Sequence, residues 1–147
     1  MPVTVRHATS SDLEALLGLY AQLSPDNAST DPIRAALGLR QVLTRPELSL
    51  LVAESNGAVL GTVMLVVVPN LTHNARPWIQ IENMVVDKTV RRAGVGGAFM
   101  EAAVAFAKET GAYKIQLQSA EHRHEAHAFY ESLGFRASSL GFRRYFG

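Results

Sequence analysis

The sequence predicts an α/β protein of the α+β kind, with a central mixed, mostly antiparallel sheet flanked by about four helices. Three observations carry that expectation. Strand and helix periodicities follow one another in the order β-α-α-β-β-β-α-β-α-β. Two long β-rich runs meet at Asn56-Gly57, a dipeptide suited to a tight antiparallel hairpin. Helices then return after the meander, as they do when they cover a sheet. The chain of 147 residues is read as one domain, 1–147, since a chain of this size buries roughly 68–70% of its unfolded surface.

The alternation of Val3 and Val5 opens the chain as a strand. Ser11-Asp12-Leu13-Glu14 has capping-box form, and Leu13, Leu16, Leu17 and Tyr20 follow at helical spacing, so a first helix runs to about Leu23. Ser24-Pro25-Asp26-Asn27 breaks it. Asp31-Pro32 starts a second helix with Ile33, Ala36, Leu37, Arg40 and Leu43 on or beside one face, ending before Pro46. Leu48 to Glu54 and Ala58 to Val68 form the hairpin. Pro69 to Pro77 is turn-rich and leads into a strand from about Trp78 to Val86. A helix covers Gly96 to Thr110, with Phe99, Ala103 and Phe106 on one side and Gly111 as its C-cap. Tyr113 to Leu117 is a short strand. The last helix spans about Arg123 to Leu133, where Ala126, Phe129, Tyr130 and Leu133 share a stripe at about 100° per residue. Gly134 stops it, and Phe135 to Phe146 closes the chain as strand material bent at Gly141.

Composition removes several functions. With 14 Lys+Arg against 13 Asp+Glu there is no basic stripe to neutralise phosphates, so no nucleic-acid partner is expected. The absence of cysteine excludes disulfides, thiolate metal sites and a cysteine nucleophile. The N-terminus lacks the apolar run of about 7–15 residues of a signal peptide. The longest apolar run, Val63 to Val68, is far short of the roughly 20 residues that span a bilayer. A cytoplasmic protein with no membrane partner is expected.

The chemistry concentrates in Val85-Val86-Asp87-Lys88-Thr89-Val90-Arg91-Arg92-Ala93-Gly94-Val95-Gly96-Gly97, a glycine-rich, dibasic turn joining a strand to a helix. Glycine lets backbone approach a ligand. The first N–H groups of the helix point outward with the positive end of its dipole, which suits phosphate or pyrophosphate. The same glycines also suit a tight turn with no ligand. A nucleoside-triphosphate loop needs Gly-Lys-Ser/Thr where Gly96-Gly97-Ala98 stands, and a dinucleotide fingerprint needs a small residue at Phe99.

The spelling Arg-x-x-Gly-x-Gly across Arg91 to Gly96 resembles the acetyl-CoA loop of the GNAT superfamily of N-acetyltransferases. Ala126-His127-Ala128-Phe129-Tyr130-Glu131-Ser132-Leu133-Gly134-Phe135 resembles its second hallmark, and the element order agrees from Val3 to Phe146. The resemblance implies acetyl-CoA as cosubstrate, no metal, and direct attack of an amine on the thioester. It implies cofactor contacts from Met84, Val85, Val86, Arg91, Arg92, Ala93, Gly94, Val95, Gly96, Gly97 and Phe129. Arg123 stands where many members carry asparagine, and on the helix it shares a side with His127 and Tyr130.

An alkylamine with a pKa near 10.4 is mostly protonated at pH 7, and freeing it costs about 4–5 kcal/mol. Glu82, in Ile81-Glu82-Asn83, matches the position of a family glutamate that acts as base, often through water; burial would raise its pKa. A structural carboxylate is the other reading of this residue. A backbone N–H near Met84 to Val86 is the implied oxyanion donor, which requires the strand to part from its neighbour there. Tyr130 matches the general acid that protonates the leaving thiolate; a tyrosine on an apolar face is otherwise core. His122, His124 and His127 lack a third ligand at a recognised metal spacing. The acceptor is read as an amino sugar or other small amine, touching the region between the first two helices and Pro69 to Pro77 with His73 and Arg76. A homodimer is also expected. The alternative class is a non-catalytic CoA-binding or protein-interaction domain of the same fold.

Overall fold

Asn56 and Gly57 have φ of 51° and 79°, the positive values at both central residues that a two-residue hairpin turn needs. On either side, β2 (Leu48–Ser55) and β3 (Ala58–Val68) pair antiparallel. In the computed structural model, which describes residues 2–91 and 93–147, the sheet grows outward from this hairpin. β1 (Thr4–His7) joins β2 and β4 (Trp78–Val86) joins β3, both antiparallel, and β5 (Ile115–Gln116) joins β4 in parallel. The strand order is β1-β2-β3-β4-β5. Three helices belong to the same unit, Met1–Gln116: α1 (Leu13–Leu23), α2 (Pro32–Thr44) and α3 (Val95–Thr110). The second unit, Leu117–Gly147, holds α4 (His124–Ser132). The mixed sheet and four α-helices are those expected. Among the described residues no helix is long and apolar enough to cross a membrane.

Strand alternation divides the core. Leu50 and Val52 point to the face where Leu16 of α1 and Leu39 of α2 pack, with Leu13, Tyr20, Val42 and Met64 around them. Val63, Leu65, Ile79 and Ile81 are buried on the opposite face. There α3 presses close: a Cβ at Gly61 would lie 3.1 Å from Phe99 and 3.2 Å from Val95.

Helix entry differs from the expected capping box. Ser10–Asp12 forms a 3₁₀ turn, and Asp12 accepts from the Thr9 N–H at 2.8 Å. The Arg6 guanidinium grips both Asp12 oxygens at 2.9 and 3.0 Å. A buried carboxylate with three donors outcompetes the exposed Ser11/Glu14 pair. The second helix begins as read, with Asp31 accepting from the Arg34 N–H, but its buried face is another one. Leu39 is buried and Val42 packs against it, while Ile33 and Leu37 are 73% and 58% exposed. Arg40, on the expected face, marks it as the solvent side.

Three further expectations are corrected at the C-terminal end. β5 forms only at Ile115–Gln116, although the Tyr113 N–H to Pro77 O bond of 3.0 Å carries pairing upstream. Leu133 follows α4 as its C-cap and is 45% exposed, so the half-buried stripe ends at Phe129 and Tyr130. Residues 135–146 form no strand. Alternation marks only competence to pair, and a strand without a ladder gains nothing from it. Gly141 merely passes Gln118, whose Cγ would lie 3.8 Å from a Cβ there.

Candidate active site

β4 is irregular where the site is expected. Met64 pairs with Glu82 and Thr62 with Val85, so Asn83 and Met84 together oppose Val63. Such a bulge leaves a residue outside the ladder and re-aims the strand. Asn83 absorbs it with φ 53°, a left-handed value that asparagine tolerates. On the other edge, the ladder to β5 holds only Ile79–Ile115 and Gln80–Gln116. Asn83 and Met84 thus leave the ladder to β3, while Val85 and Val86 stay paired with Thr62 and Gly61. Glu82 is half-buried, and its Oε1 accepts from Gln80 Nε2 at 3.0 Å.

After β4 the backbone turns through a hydrogen-bonded knot. Asp87 N–H donates to Leu60 O at 2.8 Å, and Val90 N–H to Asp87 O at 3.1 Å. The Asp87 carboxylate takes the Thr89 hydroxyl at 2.6 Å and the Thr89 N–H at 2.8 Å. The Thr89 bonds hold its pKa below the usual carboxylate value. Gln22 of α1 clamps the same turn, donating to Asp87 Oδ2 at 3.3 Å and accepting the Lys88 N–H at 2.9 Å.

Gly94 is the N-cap of α3 at φ 86°, a conformation that favours glycine. Val95 is 2% exposed, so its side chain anchors the helix and only its backbone can face a ligand. The Ala98 N–H bonds Gly94 O at 3.0 Å, so the N–H groups of Val95, Gly96 and Gly97 precede the first internal bond of a 16-residue helix. Among the described residues a Cβ at Gly94 or Gly97 would meet nothing within 4 Å. The Ala93 N–H is committed to Val90 O. Exposed Arg91 bonds Val86 O through Nε at 3.3 Å. Arg92 lies outside the described residues.

Arg123, Phe129 and Tyr130 belong to the second unit. Arg123 is the exposed N-cap of α4 and precedes its helical residues. Half-buried Tyr130 packs edge-on against Phe129 at 5.4 Å and Phe135 at 6.1 Å. Burial pushes its phenol pKa up, opposed by the nearby Arg123 charge. His127 Nε2 bonds Ala120 O at 2.8 Å, and the His124 and His127 rings meet edge to face. The Ser119 hydroxyl is buried with no hydrogen-bond partner among the described residues. The two polar groups expected at the acceptor are engaged elsewhere. His73 stacks on Tyr113 at 3.9 Å, and Arg76 donates to Gly111 O and Ala112 O.

A model of the acetyltransferase (GNAT) family matches residues 13–135. A glucosamine 6-phosphate N-acetyltransferase of Trypanosoma brucei brucei is 36% identical over 84 residues, 57% of this chain and 55% of that protein. The match thus spans about half of that relative. An aminoalkylphosphonate N-acetyltransferase of Salmonella typhimurium is 29% identical over 98% of this chain and 92% of its own. A solved structure from Agrobacterium tumefaciens, described as an acetyltransferase, superposes with TM-score 0.90. It is 36% identical, covering 97% of this chain and 99% of its own.

Proposed function

Because the chain belongs to the acetyltransferase (GNAT) family, we propose that it transfers the acetyl group of acetyl-CoA to a primary amine by direct attack. The turn into α3 carries this reading: Gly94 at φ 86°, open space at Gly94 and Gly97 among the described residues, and first-turn N–H groups ahead of the first helical bond suit a pyrophosphate. Backbone N–H groups of Val95 to Gly97 would hold it, with Arg91 and Arg92 pairing its charge. Acetyl-CoA, when bound, supplies a thioester whose acyl carbon gains a C–N bond as its C–S bond breaks.

Each remaining demand falls to a residue of this chain. Glu82 accepts the proton the ammonium must lose, directly or through one water. A backbone N–H between Met84 and Val86, past the point where β4 last pairs with β5, donates to the acyl oxygen. Tyr130 gives its hydroxyl proton to the departing sulfur, and burial keeps that phenol protonated at neutral pH. Arg123 and Phe129 precede it in sequence and complete the proposed cofactor contacts. We read 1–147 as one functional domain, since the family match at 13–135 runs across the division at Gln116. A homodimer would cover the exposed Leu140, Phe142, Tyr145 and Phe146. The test is release of CoA thiol from acetyl-CoA over a panel of primary amines. Turnover with at least one amine is expected; an enzyme inert towards all of them would overturn the proposal.

A further inference from the structure

A cavity of about 330 Å³ lies between α1, α2 and the sheet, large enough for a small organic molecule. None of the fourteen described residues lining it carries a charge. Leu17 and Tyr20 come from α1, Leu39 and Val42 from α2, and Met64 from β3. The cavity reaches the bulge residue Asn83, next in sequence to Glu82. A row of paired residues fixes its relation to that carboxylate: Leu50 stands opposite Met64, and Met64 opposite Glu82. Residues paired across a ladder share a sheet face. Leu50 and Met64 line the cavity, so Glu82 is the next side chain on the same face.

We propose that the acceptor of this enzyme is an amine carried on an uncharged, apolar body, and that this cavity receives that body with the nitrogen towards Asn83 and Glu82. The proposal rests on the acetyl-transfer reading and adds the substrate class. A phosphate or phosphonate group needs cationic or multiple N–H partners when taken from water. Among the described residues this cavity offers neither arginine nor lysine. Of its polar groups, the Asn27 amide is already committed to Tyr20 O at 2.9 Å. An apolar wall gains by covering apolar substrate surface. It also disfavours the ammonium form, so the nitrogen arrives closer to its nucleophilic state.

Gly38 gives a handle on the cavity. It lies on the lining, within α2, where a Cβ would meet nothing within 4 Å, and a helix interior gains from losing a glycine. The experiment compares 2-phenylethylamine, ethylamine, glucosamine 6-phosphate and 2-aminoethylphosphonate by thiol release. In parallel, 2-phenylethylamine is titrated with CoA present while the Met64 methyl resonance is followed. We expect kcat/KM for 2-phenylethylamine to exceed that of either phosphorus-bearing amine at least tenfold. In Gly38→Phe, or the smaller Gly38→Leu, its ratio to ethylamine falls at least tenfold. Preference for a phosphorus-bearing amine would overturn the proposal, as would a Gly38 variant with an unchanged ratio. Should no amine turn over while 2-phenylethylamine still shifts Met64, the cavity assignment stands and acetyl transfer falls. If 2-phenylethylamine is not turned over and does not shift Met64 either, the cavity assignment itself is overturned.

Discussion

Gln22 on α1 and Asp87 beyond β4 are joined side chain to side chain at 3.3 Å, while the other end of the Gln22 amide takes the Lys88 N–H at 2.9 Å. One residue thereby fixes the start of the turn that leads to α3. Each such bond contributes about 0.5–1.5 kcal/mol. Gln22→Ala is expected to raise KM for acetyl-CoA about 3–10-fold and to move kcat by less than about threefold. Steady-state kinetics read both, and an unchanged KM would show that the turn holds itself.

The two open glycines separate folding from binding. Gly94→Val forces a β-branched residue to φ 86° and should cost about 1–3 kcal/mol in denaturant unfolding. Gly97 has no such strain, since it sits inside the first turn with space around its Cβ position. Gly97→Val should therefore fold, yet bind acetyl-CoA at least tenfold more weakly, about 1.4 kcal/mol by calorimetry. Equal affinity in the folded variant would remove this turn as the phosphate site.

For Glu82, the expected signature is a shape rather than a single rate. Glu82→Gln should lower kcat/KM most near neutral pH and recover as the amine deprotonates in solution at higher pH. A profile parallel to the parent's would make Glu82 structural, bonded to Gln80.

Tyr130→Phe keeps the ring contacts with Phe129 and Phe135 and removes the proton source. A fall in kcat on the order of 10²-fold is expected, with KM for acetyl-CoA nearly unchanged. The raised phenol pKa also has a stability signature. Folding favours the neutral phenol, so its contribution is fully present below the unfolded value of about 10. It is lost as pH rises through the folded value. Thermal melts above pH 10 should therefore decline less steeply in the variant, and identical slopes would count against a buried phenol.

Asp12 works in the opposite direction. Its pKa is lowered chiefly by the Arg6 hydrogen bonds, so its contribution is present above the unfolded value of about 3.9 and lost as pH falls through the folded one. Asp12→Asn should cost about 1–3 kcal/mol at pH 7, and the gap to the parent should close towards pH 2. Urea unfolding at the two pH values measures it.

Local chemistry was the legible part of this fold. The Asn56-Gly57 hairpin, the Asp31 start of α2 and the Gly111 cap of α3 each depend on neighbours in sequence, and they stand where the residues predict. The Asn83 bulge was half visible, since asparagine is a residue that accepts left-handed backbone, but nothing nearby in sequence demands an extra residue in β4. Partner choice was hidden. Both faces of α2 are apolar, and only packing against Leu16 and Leu50 selects Leu39 over Ile33. Gln22 and Ser119 gave no local signal, because one acts 65 residues away and the other is notable only for its burial.

A sheet whose strands lie in chain order also sets a timetable for synthesis. When Val86 emerges, β1 to β4 and the two helices on one face are all available. The opposite face, with Val63, Leu65, Ile79 and Ile81, has no cover until α3 ends at Thr110. At about 5–20 residues per second, the 24 residues from Asp87 to Thr110 take on the order of 1–5 s to translate. For that interval a nascent chain carries a bare aliphatic surface, and the open turn at Gly94 is also the hinge over which its cover must arrive.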